Sequence, residues 1–408
     1  MSAPPASQQG LDARKAALRL LDAVMRRGQP LESALAGATS GLPHPSDRAL
    51  ARAIASETIR WLPDLDALID SATRQRLGDD AKARMILRMA LAQILVMGTP
   101  AHAVIATALP LSEGGPRRLI HGVLGALLRR DVHLPRLPAL PAGVAARWEA
   151  HWGAPMVEDA RAALRDPQPI GLSWKDGRHS SVAAGTDIAA LDGFAEGAFW
   201  VQNRAAAIPA CLLGEGGGRR VLDLCAAPGG KTMQLAAAGW EVVAIDREQR
   251  RLDRLRDNLA RTGLAATIVG ADIHRWRPEA AVEAILLDAP CSATGIFSRH
   301  PDVLHRARTK DIATLAQEQT ALLRRAADWL LPGGTLVFAT CSLEPEEGED
   351  QVEPAFAAGL AVDPVKAGEL PEGLDSQPGG WVRVLPRDGM DGFFAVRFRK
   401  PDASLVAR

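Results

Sequence analysis

The chain has 408 residues, enough for two or three domains, and its content of 47% hydrophobic and 24% charged residues is ordinary for a globular protein. It has no apolar run long enough to span a bilayer and no signal-peptide pattern, so we expect a cytoplasmic protein without a membrane partner. The net charge is zero, but residues 1–150 hold 19 Lys and Arg against 13 Asp and Glu, whereas residues 151–408 hold 29 against 35. A basic front half fits an anionic partner such as RNA, although an excess of this size is also within ordinary scatter.

The front of the chain has a helical pattern throughout. After a flexible tail predicted at 1–10, apolar residues recur at helical spacing over residues 11–130, as at Leu18, Leu21 and Val24. The strongest of these patterns lies at 82–97. This periodicity predicts a bundle of five to seven helices without a strand.

The residues that follow predict a linker and a small subdomain. Three prolines mark 131–142 as the linker. Residues 143–200 mix one or two helices with short strands near 171–174 and 198–201, and we expect a small connecting α+β subdomain there.

The main domain is predicted at 201–408, where short strands alternate with helices from residue 219 onward. Strands are predicted at 220–224, 241–246, 266–270, 284–288 and 334–340, helices at 231–238, 248–261 and 311–331, and two closing strands at 381–385 and 393–398. This alternation predicts an α/β domain with a mostly parallel sheet. In open α/β sheets ligands bind at the carboxyl ends of the strands, so the polar residues there define one candidate site.

The first of these strands leads into a loop of small residues that suits a cofactor. Residues 223–232 have the sequence DLCAAPGGKT, whose glycines let the backbone approach a ligand, while free N–H groups at the following helix start bind an anionic group. A phosphate-binding P-loop is one alternative, but the first Gly is missing and Asp223 would repel phosphate. A dinucleotide loop is another, but Pro228 breaks its glycine spacing. In a methyltransferase this loop would hold the amino-acid end of S-adenosylmethionine.

Two further aspartates follow the next two strands. Asp246 is placed to accept both ribose hydroxyls of a cofactor, and Asp272 to accept from an adenine amino group. Taken alone, an Asp at such a position is more often a helix cap or a turn residue. Three aspartates after three successive strands, counting Asp223, are harder to explain in that way.

The cysteines are predicted to be reduced thiols, at least one of which has a role in the reaction. Four cysteines are too few for a disulfide framework in this chain, and none forms a CxxC pair, so we expect neither disulfides nor a metal site. A single Cys is more often a small buried apolar residue than a nucleophile. Cys291 and Cys341, however, each follow a predicted strand and each precede a Ser. Both should therefore face the same edge of the sheet.

Two cysteines beside an acid suit methylation of a pyrimidine ring. Carbon 5 of cytosine is a poor nucleophile, but attack by a thiolate at carbon 6 turns it into an enamine carbon able to take a methyl group from a sulfonium. A base then removes the carbon 5 proton and the thiolate leaves. Asp288 follows the apolar residues 285–287, and an environment that keeps it partly protonated would let it bind ring N3. This chemistry needs no metal.

Three segments of the chain resemble the motifs of the NOL/NOP2/Sun RNA cytosine-5 methyltransferases. They are DLCAAPGGKT at 223–232, DAPCS at 288–292 and TCS at 340–342. The resemblance implies a Rossmann-like class I methyltransferase domain with S-adenosylmethionine as the cofactor. The segments at 197–207 and 388–394 resemble the start and the closing strands of that domain.

The helical front end is similar to the NusB-like RNA-binding domain of the bacterial ribosomal RNA small subunit methyltransferase B group. The segments RMILRMA at 84–90 and LIHGVL at 119–124 carry this similarity, which implies an all-α NusB-like domain at 11–130. The resemblance to the family thus covers nearly the whole chain. It also implies RNA, and specifically 16S rRNA, as the partner of an enzyme that we expect to be a monomer.

The motifs imply a role for each matching residue. Cys341 is implied as the nucleophile, Cys291 in product release, and Asp288 as a contact to both the ring and the cofactor. The implied cofactor contacts are Cys225, Ala226, Ala227, Pro228, Gly229, Gly230, Lys231, Asp246, Asp272 and Asp288. Asn203 stands where the family has Asp, and His121 where Asn is common, and these departures bear on local RNA contacts.

Contacts with the RNA backbone are predicted at arginines. The candidates are Arg117, Arg118, Arg129 and Arg130 on one predicted helix, and Arg299, His300 and Arg306 after the DAPCS segment. Any one of these is more often part of a solvated helix face.

Three rival functions compete with this interpretation. They are methylation of tRNA or a protein, a non-catalytic RNA-binding or assembly role, and a nicotinamide dehydrogenase. The paired cysteines argue against a protein substrate but do not choose between RNAs, and the intact Asp288, Cys291 and Cys341 argue against a scaffold. The loop and the cysteines both disfavour a dehydrogenase.

Overall fold

The computed structural model describes residues 10–166, 168–366, 368–387 and 389–402. These residues form two compact units. The first consists of the described residues up to Asp166 together with Phe297–Arg306, and the second of those in Pro167–Ile296 and Ala307–Arg408. No helix in the described part of the chain is long and apolar enough to cross a membrane.

The first unit is built of helices. They are α1 (Leu11–Met25), α2 (Leu31–Thr39), α3 (Pro45–Arg60), α4 (Leu62–Ser71), α5 (Lys82–Leu95), α6 (Ala101–Ala108), α7 (Gly114–Arg129), α8 (Ala142–Trp152) and α9 (Ala154–Arg165). Helix α5 lies at the centre, because its residues from Ala83 to Gln93 are all buried. Leu20, Ile54 and Leu87 are among the fully buried side chains of the shared core. The predicted helical bundle is therefore confirmed.

The central helix also buries two arginine side chains, Arg84 and Arg88, which are 0% and 2% exposed. The guanidinium of Arg88 donates to both oxygens of Asp66, at 2.6 and 2.7 Å. That of Arg84 donates to Asp66 at 3.0 Å and to Asp70 at 2.5 and 3.0 Å, and the contact with Asp70 raises the pKa of Arg84. The carboxylates offset the cost of burying the two charges.

A small antiparallel sheet opens the second unit. Its strands are β1 (Ile170–Trp174), β2 (His179–Val182) and β3 (Phe199–Val201), in the order β2-β1-β3. The connecting subdomain predicted at 143–200 is thus divided, because α8 and α9 belong to the first unit and this sheet to the second.

The main sheet of the second unit has eight strands. They are β4 (Arg220–Leu224), β5 (Glu241–Asp246), β6 (Thr267–Gly270), β7 (Val282–Asp288), β8 (Leu330–Thr340), β9 (Ala361–Val362), β10 (Val382–Val384) and β11 (Phe393–Arg399). Their order is β10-β11-β8-β7-β4-β5-β6, with β9 also paired to β11. Neighbours from β8 to β6 are parallel, and β11 is antiparallel to β8. The predicted mostly parallel α/β fold is confirmed.

Helices cover both faces of this sheet. The α-helices that the structure describes in this unit are α10 (Arg204–Cys211), α11 (Gly230–Ala237), α12 (Gln249–Thr262), α14 (Thr309–Trp329) and α15 (Val352–Ala357), whereas α13 (Val303–Arg306) belongs to the helical unit. One core contains Leu286 of β7 with residues of α10 to α12, and the other contains Ile285 and Leu287 with residues of α14 and α15. Strands buried on both faces have nearly continuous apolar sequences, which is why β4, β5 and β7 were recognisable.

A short segment of the chain, Phe297–Arg306, belongs to the helical unit although it lies between β7 and α14. The ring of Phe297 packs against that of Trp148, with centroids 5.4 Å apart. Asp302 Oδ2 accepts a hydrogen bond from the backbone N of Leu31 at 3.2 Å. The chain therefore leaves the sheet-containing unit just after the cysteine at position 291 and returns at α14.

Candidate active site

A cavity of about 270 Å³ lies at the carboxyl ends of the parallel strands in the second unit. Cys225, Asp288, Cys291 and Cys341 line it together with side chains that follow β5 and β6. Five carboxylates but only two arginines face this space: Asp246, Glu248, Asp272, Asp288 and Glu318 against Arg247 and Arg251. Such a lining suits a ligand with positive charge better than a nucleoside phosphate.

The loop after β4 passes close to the neighbouring helix. Cys225 and Gly229 have φ angles of +62° and +104°. A Cβ atom on Gly229 would lie 2.2 Å from Leu255 Cδ1, so that only glycine fits between the loop and α12. Burial, followed by the charge of Asp246, raises the pKa of the Cys225 thiol, which therefore lines the cavity as a neutral group.

Asp223 supports this loop from within the core and does not line the cavity. Its side chain is fully buried, and Thr232 Oγ1 donates to Oδ2 at 2.6 Å. Among the described residues Oδ1 has no hydrogen-bond partner. Burial raises the pKa of Asp223 to about 7. Of the three aspartates that the sequence placed after successive strands, only Asp246 and Asp272 line the cavity.

Asp246 has acceptor positions to spare beside the cavity. It is 2% exposed, accepts from Ala227 N at 3.1 Å through Oδ2, and accepts from Glu248 N at 3.0 Å through Oδ1. A carboxylate has about four acceptor positions, so one on each oxygen can serve a pair of ligand hydroxyls. Asp272 is exposed and accepts from His274 N at 3.0 Å.

Asp288 is paired with a cation. Lys231 Nζ donates to Asp288 Oδ2 at 2.8 Å and lies 5.2 Å from the ring centroid of Phe393. Burial lowers the pKa of Lys231, but the contact with Asp288 and smaller effects of other neighbouring groups together raise it by more, so the net shift is upward and the ammonium keeps its proton. The prediction that Asp288 has apolar surroundings is wrong, because Asp288 contacts Lys231 and the side chains of residues 285–287 lie in the two cores.

The two candidate cysteines are in contact. Cys291 Sγ and Cys341 Sγ are 3.5 Å apart, and the backbone carbonyl of Cys341 accepts from Gly295 N at 2.9 Å. The hydrogen bond to Cys341 and burial raise the pKa of Cys291 well above that of a free thiol. One sulfur of the pair is therefore held as a thiol beside the other. No group of three or more His, Cys, Asp or Glu side chains in the described part of the chain is placed to hold a metal ion.

A buried carboxylate that the sequence analysis did not single out lies behind the cysteines. Glu347 is 0% exposed and accepts hydrogen bonds from Ser292 and Ser342, the residues that follow the two cysteines. It belongs to the acidic run EPEEGED at 344–350, a composition typical of a solvated loop. The feature of the sequence that could have indicated this carboxylate is the Ser that follows each of the two cysteines.

The predicted RNA-contacting arginines have different surroundings. Arg117, Arg118 and Arg129 are exposed on α7, and Arg130 at its end donates to Ser71 O at 3.3 Å. Arg306 is engaged within the helical unit, where it donates to Gly28 O at 3.0 Å and to Asp302 at 3.2 Å. Arg299 and His300 are half-buried. Contacts of these side chains with RNA remain a prediction.

The two departures from the family pattern are also located. Asn203 caps α10 by accepting from Ala205 N at 3.0 Å and donates to Gly389 O at 3.1 Å, so it serves a structural purpose here. His121 is exposed on α7. Asp388, the first residue of the segment that resembles the closing strands, lies outside the described residues.

The fold and the cavity together define a methyltransferase preceded by a helical domain, and known proteins agree. Residues 210–399 match the family model for the 16S rRNA methyltransferase RsmB/F, and residues 11–129 match that of the NusB family. The ribosomal RNA small subunit methyltransferase B of Pseudomonas syringae pv. tomato is 34% identical over 96% of this chain and 97% of its own length. The protein of that name from Xanthomonas campestris pv. campestris is 34% identical over 86% and 89%.

A solved structure supports the same assignment. The methyltransferase homologue from Pyrococcus horikoshii superposes with a TM-score of 0.54 and 26% identity, covering 68% of this chain and 98% of that protein. The chain therefore belongs to the RsmB/F methyltransferase family and has an N-terminal NusB-family region.

Proposed function

We propose that this protein is an S-adenosylmethionine-dependent RNA methyltransferase that forms 5-methylcytosine in 16S rRNA, with Cys341 as the covalent nucleophile. The observation that carries the proposal is the contact of two thiols, 3.5 Å apart, at a cavity whose other residues suit a cationic cofactor. The names of the relatives support an rRNA substrate. Because two thiols this close stay reduced only in a reducing compartment, we place the reaction in the cytoplasm.

The cavity fits S-adenosylmethionine, which supplies an electrophilic methyl group on a sulfonium. The spare acceptor positions of Asp246 suit two ribose hydroxyls, and the apolar Ile273, Pro290 and Leu322 provide walls for a flat ring. The excess of carboxylates favours the positive charges of this ligand. Residues 225–231, with Asp246, Asp272 and Asp288, would hold it.

The chain's own residues then activate the cytosine. The thiolate of Cys341 forms a bond to carbon 6, and the ring's electron density moves toward N3 and carbon 5. The Lys231–Asp288 pair, with its proton held at Lys231 Nζ, stabilises the charge that develops at N3. Carbon 5 would then take the methyl group, and the electron pair of the broken bond would stay with the sulfonium sulfur. A water molecule accepts the carbon 5 proton, the electron pair of that C–H bond re-forms the carbon 5–carbon 6 double bond, the sulfur–carbon 6 bond breaks and Cys341 returns as a thiolate.

Cys291 is suited to the last of these steps. Its sulfur lies against that of Cys341, and the hydrogen bond to Cys341 and burial raise the pKa of Cys291, which keeps this thiol protonated. A neutral thiol at this distance does not compete for carbon 6. It donates a hydrogen bond to the departing thiolate and thereby helps to release the product.

Methyl transfer from labelled S-adenosylmethionine tests this function. The substrates are 16S rRNA and tRNA from a strain that lacks the gene, and we expect labelled 5-methylcytosine in the 16S rRNA. Cys341→Ala should bind the cofactor but transfer nothing, and Cys291→Ala should accumulate an RNA adduct that survives denaturant. Cys211→Ser is the matched control, because Cys211 does not line the cavity.

Each alternative result has a distinct meaning. Label in tRNA alone would replace the substrate, and full transfer by Cys341→Ala would remove that residue as the nucleophile. An adduct that forms without Cys341 and requires Cys291 would exchange the roles of the two cysteines.

A further inference from the structure

Each active-site cysteine is followed by a serine, and both serines bind one buried carboxylate. Ser342 Oγ donates to Glu347 Oε2 at 2.6 Å, and Ser292 Oγ donates to the same oxygen. The backbone N of Ser292 donates to Oε1 at 2.8 Å. The loop after β7 and the loop after β8 are therefore joined through Glu347, next to the two sulfur atoms.

The carboxylate has no acceptor position left for another partner. Oε1 also accepts from Gln319 Nε2 of α14 at 3.1 Å, so that each oxygen has two donors. Burial raises the pKa of Glu347, while the hydrogen bonds from Ser292 and Ser342 oppose that effect. Side chains in such a network are fixed, because moving any donor would leave a buried oxygen unsatisfied.

We propose that Glu347 is a positioning residue, which holds Cys291 against Cys341 by binding the serine that follows each cysteine. The inference rests on the proposed function, in which both thiols act on the same ring. Glu347 does not line the cavity and therefore acts only through its neighbours.

Further hydrogen bonds fix the side-chain hydroxyls around Glu347 to the loop after β8. Ser342 Oγ also accepts from Glu344 N at 3.0 Å, and Thr294 Oγ1 accepts from Leu343 N at 3.0 Å. A hydroxyl whose proton is directed at Glu347 keeps its lone pairs for such backbone donors. The charge of Glu347 also contributes, after the contact with Cys341 and burial, to the raised pKa of Cys291.

The test measures the distance between the sulfurs without relying on catalysis. Diamide takes two electrons and two protons from a pair of thiols, joining them as a disulfide while the azo group becomes a hydrazine. Because the sulfurs are 3.5 Å apart, we expect fast Cys291–Cys341 cross-linking in the wild-type chain. Mass spectrometry of samples quenched at successive times measures its rate. Glu347→Ala should cross-link at least about tenfold more slowly, and Glu347→Asp should recover part of the rate.

The control variant is Glu346→Gln, which removes the same charge one residue away. Glu346 Oε2 has no hydrogen-bond partner among the described residues, so this variant should cross-link at the wild-type rate. Ser292→Ala and Ser342→Ala each remove one hydroxyl and should give intermediate rates. Cofactor binding and the melting temperature identify any variant that has lost its fold. If Glu347→Ala does not fold, the cross-linking rates of the two serine variants test the proposal.

Methyl transfer is measured on the same proteins. In Glu347→Ala we expect kcat to fall at least about tenfold with KM for RNA unchanged, because the two thiols and not the RNA surface are displaced. A wild-type cross-linking rate in Glu347→Ala and in both serine variants would overturn the proposal, whatever happens to kcat. Slower cross-linking in a chain whose wild type methylates no RNA would support the positioning role and reject the proposed function.

Discussion

The core of the helical unit and the cavity end of the sheet-containing unit both bury ionisable groups, but with different partners. In the first, Arg84 and Arg88 have carboxylate partners whose oxygens are directed at the guanidinium groups. At the cavity end of the second, Asp223 and Glu347 accept hydrogen bonds from neutral donors, and Asp288, which is paired with Lys231, lines a cavity. A charge that is fully paired serves stability, whereas a charge beside an open space is available for chemistry.

The contrast has an energetic basis. A buried ion pair whose hydrogen bonds are complete fixes one geometry, and removing one partner leaves the other charge uncompensated. At the cavity, water or a ligand replaces a lost partner, because the Asp288 side chain is 31% exposed. We therefore expect variants of the first kind to change the free energy of unfolding and variants of the second kind to change the reaction rate.

The largest expected effect is that of Asp66→Ala in the helical unit. It removes the carboxylate that Arg84 and Arg88 share, and the cost should be about 3 kcal/mol or more in the free energy of unfolding. Urea denaturation measures it, and Asp176→Ala, which breaks an exposed pair with Arg178, is the control. Equal stabilities of the two variants would remove the distinction between the core of the helical unit and the cavity end of the other unit.

Lys231→Met tests the other half of the comparison. Loss of the ammonium should lower kcat about 100-fold, because the charge that develops at ring N3 loses its nearest cation. Unfolding should change by roughly 1 kcal/mol, since the cavity lets water reach Asp288. Single-turnover methyl transfer gives the rate and urea denaturation the stability, with the exposed Lys310→Met as the control. A large loss of stability with little loss of rate would show that the Lys231–Asp288 pair stabilises the fold, as the buried arginine pairs of the helical unit do.

The sequence predicted those parts of the molecule that depend on local patterns. Strands at 220–224 and 241–246 coincide with β4 and β5, because strands buried on both faces have mostly apolar sequences. The cavity-lining positions Asp246 and Cys341 follow from the same rule, since parallel strands end at one edge. Their roles in binding and catalysis remain predictions.

What the sequence did not reveal depends on contacts between distant residues. Strand β2 has the polar sequence HSSV and is identified only by its pairing with β1. The segment Phe297–Arg306 belongs to the helical unit through contacts with residues more than a hundred positions away, such as Leu31. The Lys231–Asp288 pair and the burial of Glu347 also depend on contacts between distant residues, and the sequence around each residue does not indicate them.

A smaller effect, on the pH dependence of stability, sharpens the comparison at Asp223. Its pKa is raised from 3.8 to about 7 by burial, so the folded chain keeps a proton that the unfolded chain loses above pH 4. The stability that this proton contributes is complete below about pH 4 and is lost as the pH rises toward 7. Between pH 5 and pH 7 the wild-type chain should lose about 2 kcal/mol relative to Asp223→Asn, which cannot ionise.

Urea denaturation of both proteins at pH 5, 6 and 7 measures this difference. The Asn variant keeps a side-chain oxygen for Thr232 Oγ1, so the comparison isolates the charge from the hydrogen bond. Parallel stability curves would show that Asp223 is ionised in the folded chain over this range. In that case Asp223 would be a buried charge with Thr232 Oγ1 as a donor, and it would resemble the buried ionised groups of the helical unit.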